Sequence, residues 1–316
     1  MNAPLVSIVT PSFNQAAYLE QTMLSVLQQG YPNIEYIVVD GGSTDGSPAL
    51  IERYHHRLGW WVSEKDQGQA DGINKGLRRA RGEIVAWLNS DDVYLPGAIG
   101  QAVEALRIHP EAGLVFSDVE SRDADGNLIN IMRFGERSLE DLMAFEIISQ
   151  PGVFMRRVVM EQAGWLDPAY HYLLDHHLWL RMALIAPLRY AAGARWAAAR
   201  FHPAAKNVAQ AGAFGREALH LAEWMEGAAP FQPYLARARR RMWAGAHRLD
   251  AFYQLDAGDA AAALRAYRRA LRFSARAVLR DWRRVLFALV SPFGLGWLRQ
   301  FYLERRSQQL QSKKGR

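Results

Sequence analysis

The sequence predicts an α/β protein: a mainly parallel sheet with flanking helices, followed by an all-α C-terminal region. Three observations predict it. Over the first two hundred residues, short β-branched runs alternate with segments of helical apolar spacing. A polar loop closes each of the first four runs. From residue 205 onward the chain is rich in Ala, Arg and Leu, and strand signals fade. The expected division is therefore a sheet domain over 1–205 and a basic helical region over 206–316.

The elements follow in order. LVSIVTPSFN (5–14) is a strand ending in a Pro/Ser/Asn turn. AAYLEQTMLSVLQQG (16–30) is a helix stopped by Gly30. NIEYIVVDGGSTDGS (33–47) repeats the plan, a strand and then a Gly/Ser/Asp loop. Residues 47–59 form a helix with Ser47 as N-cap and Pro48 at its first position. A short strand lies in LGWWVSEKD (58–66), a helix in 68–82, a strand in EIVAWLN (83–89), a helix in 95–110 and a strand in 113–120. Such alternation indicates βαβ units, and ligands of such sheets sit beyond the carboxyl ends of the strands. PSFN, DGGSTD, SEKDQGQ and NSDD all fall there. Later, LDAFYQLDAGDAAAALRAYRRALRF (249–273) reads as two helices around an Ala-Gly-Asp turn, either a tetratricopeptide-like pair or a plain helical hairpin.

Composition narrows the chemistry. The 316-residue chain is long enough for two domains and has no cysteine, which excludes disulfides, zinc-thiolate sites and cysteine nucleophiles. MNAPLVSIVTPSFN has neither a basic n-region nor a long apolar h-region, so no secretory signal and a cytoplasmic location are expected. The net charge of +6 is uneven: residues 231–316 hold 19 Lys and Arg against 5 Asp and Glu, a net of +14, which leaves −8 for the rest. The basic tail reads as solvated helix faces, or as a surface for an anionic membrane or acidic partner. VLFALVSPFGLGWL (285–298), an uncharged run of 14 residues broken by Pro292, is too short and too broken to span a membrane. It suits an interfacial segment, peripheral on the inner face of the cell membrane, or burial within the helical region. No nucleic-acid motif accompanies the positive charge, so nucleic acid is not an expected partner.

VAWLNSDDVYLPG (85–97) carries the sharpest chemical signal. Two adjacent carboxylates repel each other and are costly to desolvate, so a strand end bearing Asp91 and Asp92 makes sense beside a cation. Oxygen ligands without cysteine point to Mg²⁺ or Mn²⁺, whose shells are often completed by water and substrate phosphates. A helix cap with an acidic neighbour is the structural alternative.

SIVTPSFN, VVDGGSTDGS and DQGQADGINKGLRRARGEIVAWLNSDD together resemble the family 2 glycosyltransferases over residues 5–205. The resemblance implies a GT-A fold, a Rossmann-like nucleotide-sugar domain. It also implies a nucleoside-diphosphate sugar donor, with UDP the commonest base, a divalent cation and inversion at the anomeric carbon. NSDD stands at the family's Asp-X-Asp position, with Asn89 in place of the first acid; Asn89 is expected to bond the nucleotide. Asp91 and Asp92 are assigned to the ribose and the metal without deciding which does which. The resemblance places Pro11, Ser12 and Asn14 in the first nucleotide loop, Asp40 on the donor base, and Asp66 and Asp71 beside base and ribose. In RFHPAAKNVAQ (200–210), His202 matches a late loop that contacts metal or diphosphate, and Lys206 is a phosphate partner.

The stretch ISQPGVFMRRVVMEQAGWLDPAYHYLLDHHLWLRMAL (148–184) resembles the family's acceptor segment. Leu174 stands where the first acid of a pair is usual, and His177 replaces another Asp. Asp175 is the carboxylate left at the base position, able to take the proton of an acceptor hydroxyl. The expected acceptor is a glycan or lipid-linked sugar of surface polysaccharide synthesis. Nucleotidyl transfer also pairs carboxylates with a metal, but the Asp175 segment speaks against it. A non-catalytic sugar-nucleotide binder or scaffold is the other class, favoured by Asn89 and Leu174.

Overall fold

The computed structural model describes residues 3–202 and 211–291. It divides into two compact units. The first takes in the chain up to Arg122, Ile131–Glu136 and Ile148–Arg200; the second takes in Asp123–Asn130, Arg137–Ile147 and the described residues from Phe201 on.

The first unit opens with β1 (Val6–Ser12), α1 (Ala16–Leu27), β2 (Ile34–Asp40), α2 (Ser47–Tyr54), β3 (Trp60–Ser63), α3 (Gln69–Arg79) and β4 (Ile84–Trp87). It continues through β5 (Val93–Tyr94), α4 (Ala98–Ile108) and β6 (Leu114–Arg122). The strand β7 (Leu128–Met132) and helix α5 (Leu139–Met143) come next in the chain. The unit closes with β8 (Val153–Arg156), α6 (Arg157–Ala163), α7 (Leu174–Ala183) and β9 (Leu188–Arg200). Along the sheet the order is β3-β2-β1-β4-β8-β6-β9-β5. The β3-β2-β1-β4 half is parallel throughout. The other half is mixed: β8 runs antiparallel to both β4 and β6, β6 and β9 are parallel, and β5 is antiparallel to β9.

β1 is buried along its whole length because both faces of the sheet are covered. Successive side chains point to opposite faces, so Val6 and Ile8 join Leu19, Met23, Ile51, Ile99 and Leu106 of α1, α2 and α4 in one core. Val9 faces the other way and meets α3 at Gly76, where an added Cβ would lie 2.3 Å from Val9 Cγ1. The buried polar Ser7 is satisfied through Glu35, whose carboxylate also receives Arg81.

Local chemistry moves two expected boundaries. α1 ends at Leu27, three residues before Gly30, with Gln28 and Gln29 closing the last turn through backbone N–H donation to Leu24 and Val26. Ser47 is the first helical residue of α2; Gly46, at φ 94°, stands before it, and Asp45 caps the helix by accepting the Ser47 N–H and Oγ–H. Asp91 and Asp92 do not cap α4, whose N-cap is Gly97 in the left-handed region.

The second unit contains α8 (Ala211–Gly227), α9 (Gln232–Asp256), α10 (Ala260–Phe273), α11 (Ala275–Leu279) and α12 (Trp282–Val290). The turn expected between two helices near 257–259 joins α9 to α10. Gly258 has φ 88°, and Asp259 caps α10 by accepting the Ala262 N–H at 2.7 Å. Small residues let these helices close up: Ala251, Ala266, Tyr267, Ala270 and Val278 form one buried cluster, and Leu255, Ala260, Ala263 and Ala288 another. Among the described residues no helix is long and apolar enough to cross a membrane. Lys206 and the part of the 285–298 run from Pro292 on lie outside the described residues.

Candidate active site

Strand register brings the polar loops together. Ser12, Asp40 and Ser63 are cross-strand partners at the carboxyl ends of β1, β2 and β3, and Val9 pairs with Trp87 near the end of β4. Asp40 is fully buried and binds its own loop. Its Oδ2 accepts from the Gly42 and Ser43 N–H groups and from Ser63 Oγ, at 3.2, 2.9 and 2.7 Å, and its Oδ1 accepts from Ser43 Oγ. Ser43 Oγ in turn receives the Asn14 N–H, while Asn14 Oδ1 accepts the Thr44 N–H. The first and second loops are thus stitched together, with Asn14 held at φ 52°.

Asp66 sits against the second loop. A Cβ on Gly41 would lie 2.6 Å from Asp66 Oδ2, so only glycine admits this carboxylate at its place. Asp66 Oδ1 accepts the Gly68 N–H, and Asp71, in the first turn of α3, accepts the Gln67 N–H. Acidic residues there also complement the positive end of the helix dipole. Pro11 and Ser12 are buried at the end of β1, and Ser12 Oγ has no hydrogen-bond partner. Phe13, next in line, is 60% exposed although aromatic.

The NSDD turn is held from four directions. Gln69 Nε2 donates to Asn89 Oδ1 at 2.9 Å, and Asn89 Nδ2 donates to Gln150 Oε1 at 3.4 Å. Gln150 Nε2 donates to the Trp87 carbonyl at 2.7 Å, which ties the Gln-Pro turn to the end of β4. Thr22 of α1 places its hydroxyl 2.9 and 2.7 Å from the Ser90 and Asp92 carbonyls. The last residue of β9, Arg200, donates its backbone N–H to Asp92 Oδ1 at 3.1 Å, and its guanidinium lies over the Tyr18 ring. Asp92 is buried and Asp91 half-buried. Burial pushes the Asp92 carboxyl well above the usual carboxylate range, and the neighbouring Asp91 charge adds to this; the Arg200 N–H, Asn89 and the Arg200 charge offset it in part.

Asp175 is half-buried in the first turn of α7, where its Oδ1 accepts the His176 N–H at 2.7 Å. Trp179, one turn further and on the same helix face, stacks on Trp87 of β4 with ring centroids 5.3 Å apart. The loop entering α7 is fixed by Arg181, which donates to the Ala163 and Trp165 carbonyls. Leu174 and His177 are buried, and His177 packs on Tyr170 at 4.2 Å between ring centroids. His202 is also buried but belongs to the second unit.

Donor chemistry tests the fit of a metal. Among the described residues no group of three or more His, Asp or Glu is placed to hold an ion. Two oxygen-donor carboxylates, one of them desolvated and poorly neutralised, suit Mg²⁺ or Mn²⁺ that keeps water and substrate phosphate as its other ligands.

Sequence reasoning missed Gln69, Gln150, Thr22 and Arg200 as parts of this site, and Phe13 as an exposed ring beside it. Gln69 sits within the polar DQGQ loop, a usable signal. Arg200 closes an Ala-rich stretch that gives no strand signal.

Four strand-end loops beside a half-parallel sheet, with paired carboxylates beyond the fourth strand, define a GT-A-like architecture. The chain belongs to glycosyltransferase family 2. Residues 7–161 match the model of that name, "Glycosyl transferase family 2". The "Putative teichuronic acid biosynthesis glycosyltransferase TuaG" of Bacillus subtilis is 40% identical over 185 residues, covering 57% of this chain and 72% of that protein. An uncharacterized glycosyltransferase of Rickettsia typhi is 27% identical over 192 residues, covering 58% of this chain. The chain spans only 60% of that relative's length. Among solved structures, Staphylococcus aureus TarS 1–349 with UDP-GlcNAc has a TM-score of 0.60 at 15% identity, covering 84% of this chain and 90% of its own. The mannosyltransferase PcManGT of Pyrobaculum calidifontis, with GDP-Man and Mn²⁺, has a TM-score of 0.62 at 23% identity, covering 97% and 87%. At such identities these structures share the fold.

Proposed function

We propose that this protein transfers a sugar, with inversion, from a nucleoside-diphosphate sugar to a hydroxyl of a glycan or lipid-linked acceptor in cell-surface polysaccharide synthesis. One observation carries the reading: the Asp91–Asp92 pair stands beyond β4, braced by Asn89, Thr22 and Arg200, in a chain of glycosyltransferase family 2. The name of TuaG and the UDP-GlcNAc bound to TarS support a surface glycan and a UDP-linked donor. PcManGT, holding GDP-Man and Mn²⁺, supports a divalent ion.

In this reading Pro11, Ser12, Asn14 and Asp40 shape the pocket for the base, and the orphaned Ser12 hydroxyl finds its partner in the nucleotide. Phe13 offers its exposed ring as a stacking face. Asp66, Asp71 and Asn89 border the ribose and diphosphate. Asp91 and Asp92 would hold the Mg²⁺ or Mn²⁺ ion, which would supply neutralising charge for the leaving diphosphate. Asp175 takes the acceptor hydroxyl's proton as that oxygen bonds to the anomeric carbon. The bond from that carbon to the diphosphate oxygen breaks on the opposite face, and the nucleoside diphosphate departs.

Asp175→Asn tests the assignment of the base. The variant is expected to bind donor as the parent does and to lose transfer by about 10²–10⁴-fold. Equal transfer would remove Asp175 from the role. A second reading, a sugar-nucleotide binder without turnover, draws on Asn89 and Leu174 standing where acids are usual in the family. Donor binding by the parent with no transfer to any acceptor tried would favour it.

A further inference from the structure

We propose that α11 and α12 form a docking face for an anionic lipid surface. The apolar side of this face is Leu279, Trp282, Leu286 and Leu289, spaced three, four and three residues apart, at 67, 55, 52 and 51% exposure. On α12 such spacing keeps Trp282, Leu286 and Leu289 on one stripe, and Leu279 stands exposed at the end of the preceding α11. The stripe is not the packing face of α12, whose Ala288 is buried with Leu255, Ala260 and Ala263 while Val285 and Phe287 pack on the neighbouring clusters. The helix is therefore apolar on two sides, one used by the fold and one left to solvent. Contiguous exposed large apolar side chains mark an interaction site.

Charge selects the occupant. Residues 260–291 carry eight arginines and a single acid, Asp281. Asp281 lies by Arg248, Arg280 pairs with Glu146, and Arg284 pairs with Asp256. Arg276 and Arg283 remain exposed beside the stripe with no acidic partner among the described residues, and the Arg283 guanidinium lies over the exposed Trp282 ring. Apolar side chains flanked by unpaired arginines and an amphipathic tryptophan match the boundary of an anionic bilayer. A second copy of the same face would set arginines against arginines. The sequence beyond residue 291 holds six further Lys and Arg against one Glu, so its net charge cannot neutralise this face.

The test is co-sedimentation of the full chain with vesicles rich in phosphatidylglycerol and with vesicles of phosphatidylcholine alone. The protein is expected to pellet with the first, to remain in solution with the second, and to be released by high salt. Leu286→Ser with Leu289→Ser should weaken partition at least about tenfold. Arg276→Gln and Arg283→Gln, both at exposed positions, should each weaken it about fivefold, the effect of roughly 1 kcal/mol per basic residue at such a surface. Circular dichroism and melting temperature, read in parallel, separate lost partition from lost fold. Absence of binding to phosphatidylglycerol vesicles, equal binding to both vesicle types, or binding unchanged in both variant pairs would overturn the proposal. So would self-association that the leucine substitutions abolish, which would give the face to a second copy.

Discussion

Asp40 and Asp92 are both carboxylates buried at strand ends, and their surroundings differ. Asp40 accepts four hydrogen bonds from its own loop and from Ser63, so it preorganises the loop that a base would meet. Asp92 accepts one backbone N–H, from Arg200, and lies beside a second carboxylate, an arrangement that favours a cation. Between the loops, Gln150 has no charge to advertise, yet it fixes the Trp87 carbonyl and the Asn89 amide together. Gln150→Ala should raise the donor KM about tenfold, the cost of one to two net hydrogen bonds, with kcat less affected. Steady-state kinetics against donor checks this, and a lowered melting temperature with an unchanged donor KM would leave Gln150 a purely structural role. At this scale the sequence displays the acids but not their partners. Asn89 and Gln150 are 61 residues apart, and Asp92 and Arg200 108 apart, and pairings of that span leave no local pattern.

At the scale of elements, the parallel β3-β2-β1-β4 half was legible because its strands are rich in β-branched and aromatic residues and each ends in turn residues. β9 was not. Its sequence, LRYAAGARWAAAR, is rich in alanine, a poor strand former, and it becomes a strand because β6 and β5 offer ladders on either side. That strand matters for the site, since its end holds Asp92. The base of β1 and β2 has its own clamp. Burial alone would raise the Glu35 carboxyl, but the Ser7 hydroxyl, the Arg81 N–H and the Arg81 guanidinium more than offset it and hold it below the usual range. A lowered folded pKa contributes stability above the unfolded value, near 4.3, and that stability is lost as pH falls through the folded value. Glu35→Gln should therefore cost about 1–3 kcal/mol at neutral pH, with the gap to the parent closing as the pH drops below about 4. Urea denaturation across pH reads it, and a gap independent of pH would remove the charge from the explanation.

For the whole molecule, the change in composition near residue 205 announced a change from sheet to helices, and the first unit ends at Arg200. What composition did not announce is that 123–130 and 137–147 belong with the helical unit, because membership of a unit depends on three-dimensional contacts that no local pattern encodes. The charge asymmetry, visible as a bare sum, gains meaning only where the arginines of α11 and α12 lie beside exposed leucines. The central proposal concerns the first unit: that its strand-end loops bind a nucleoside diphosphate through a divalent ion at Asp91 and Asp92. Calorimetric titration of UDP and GDP into the parent and into Asp92→Ala, each with and without Mn²⁺, tests it most directly. The account predicts affinity that rises about tenfold or more with Mn²⁺ in the parent and loses that increment in the variant. Identical titrations with and without Mn²⁺, or an increment that survives Asp92→Ala, would contradict it.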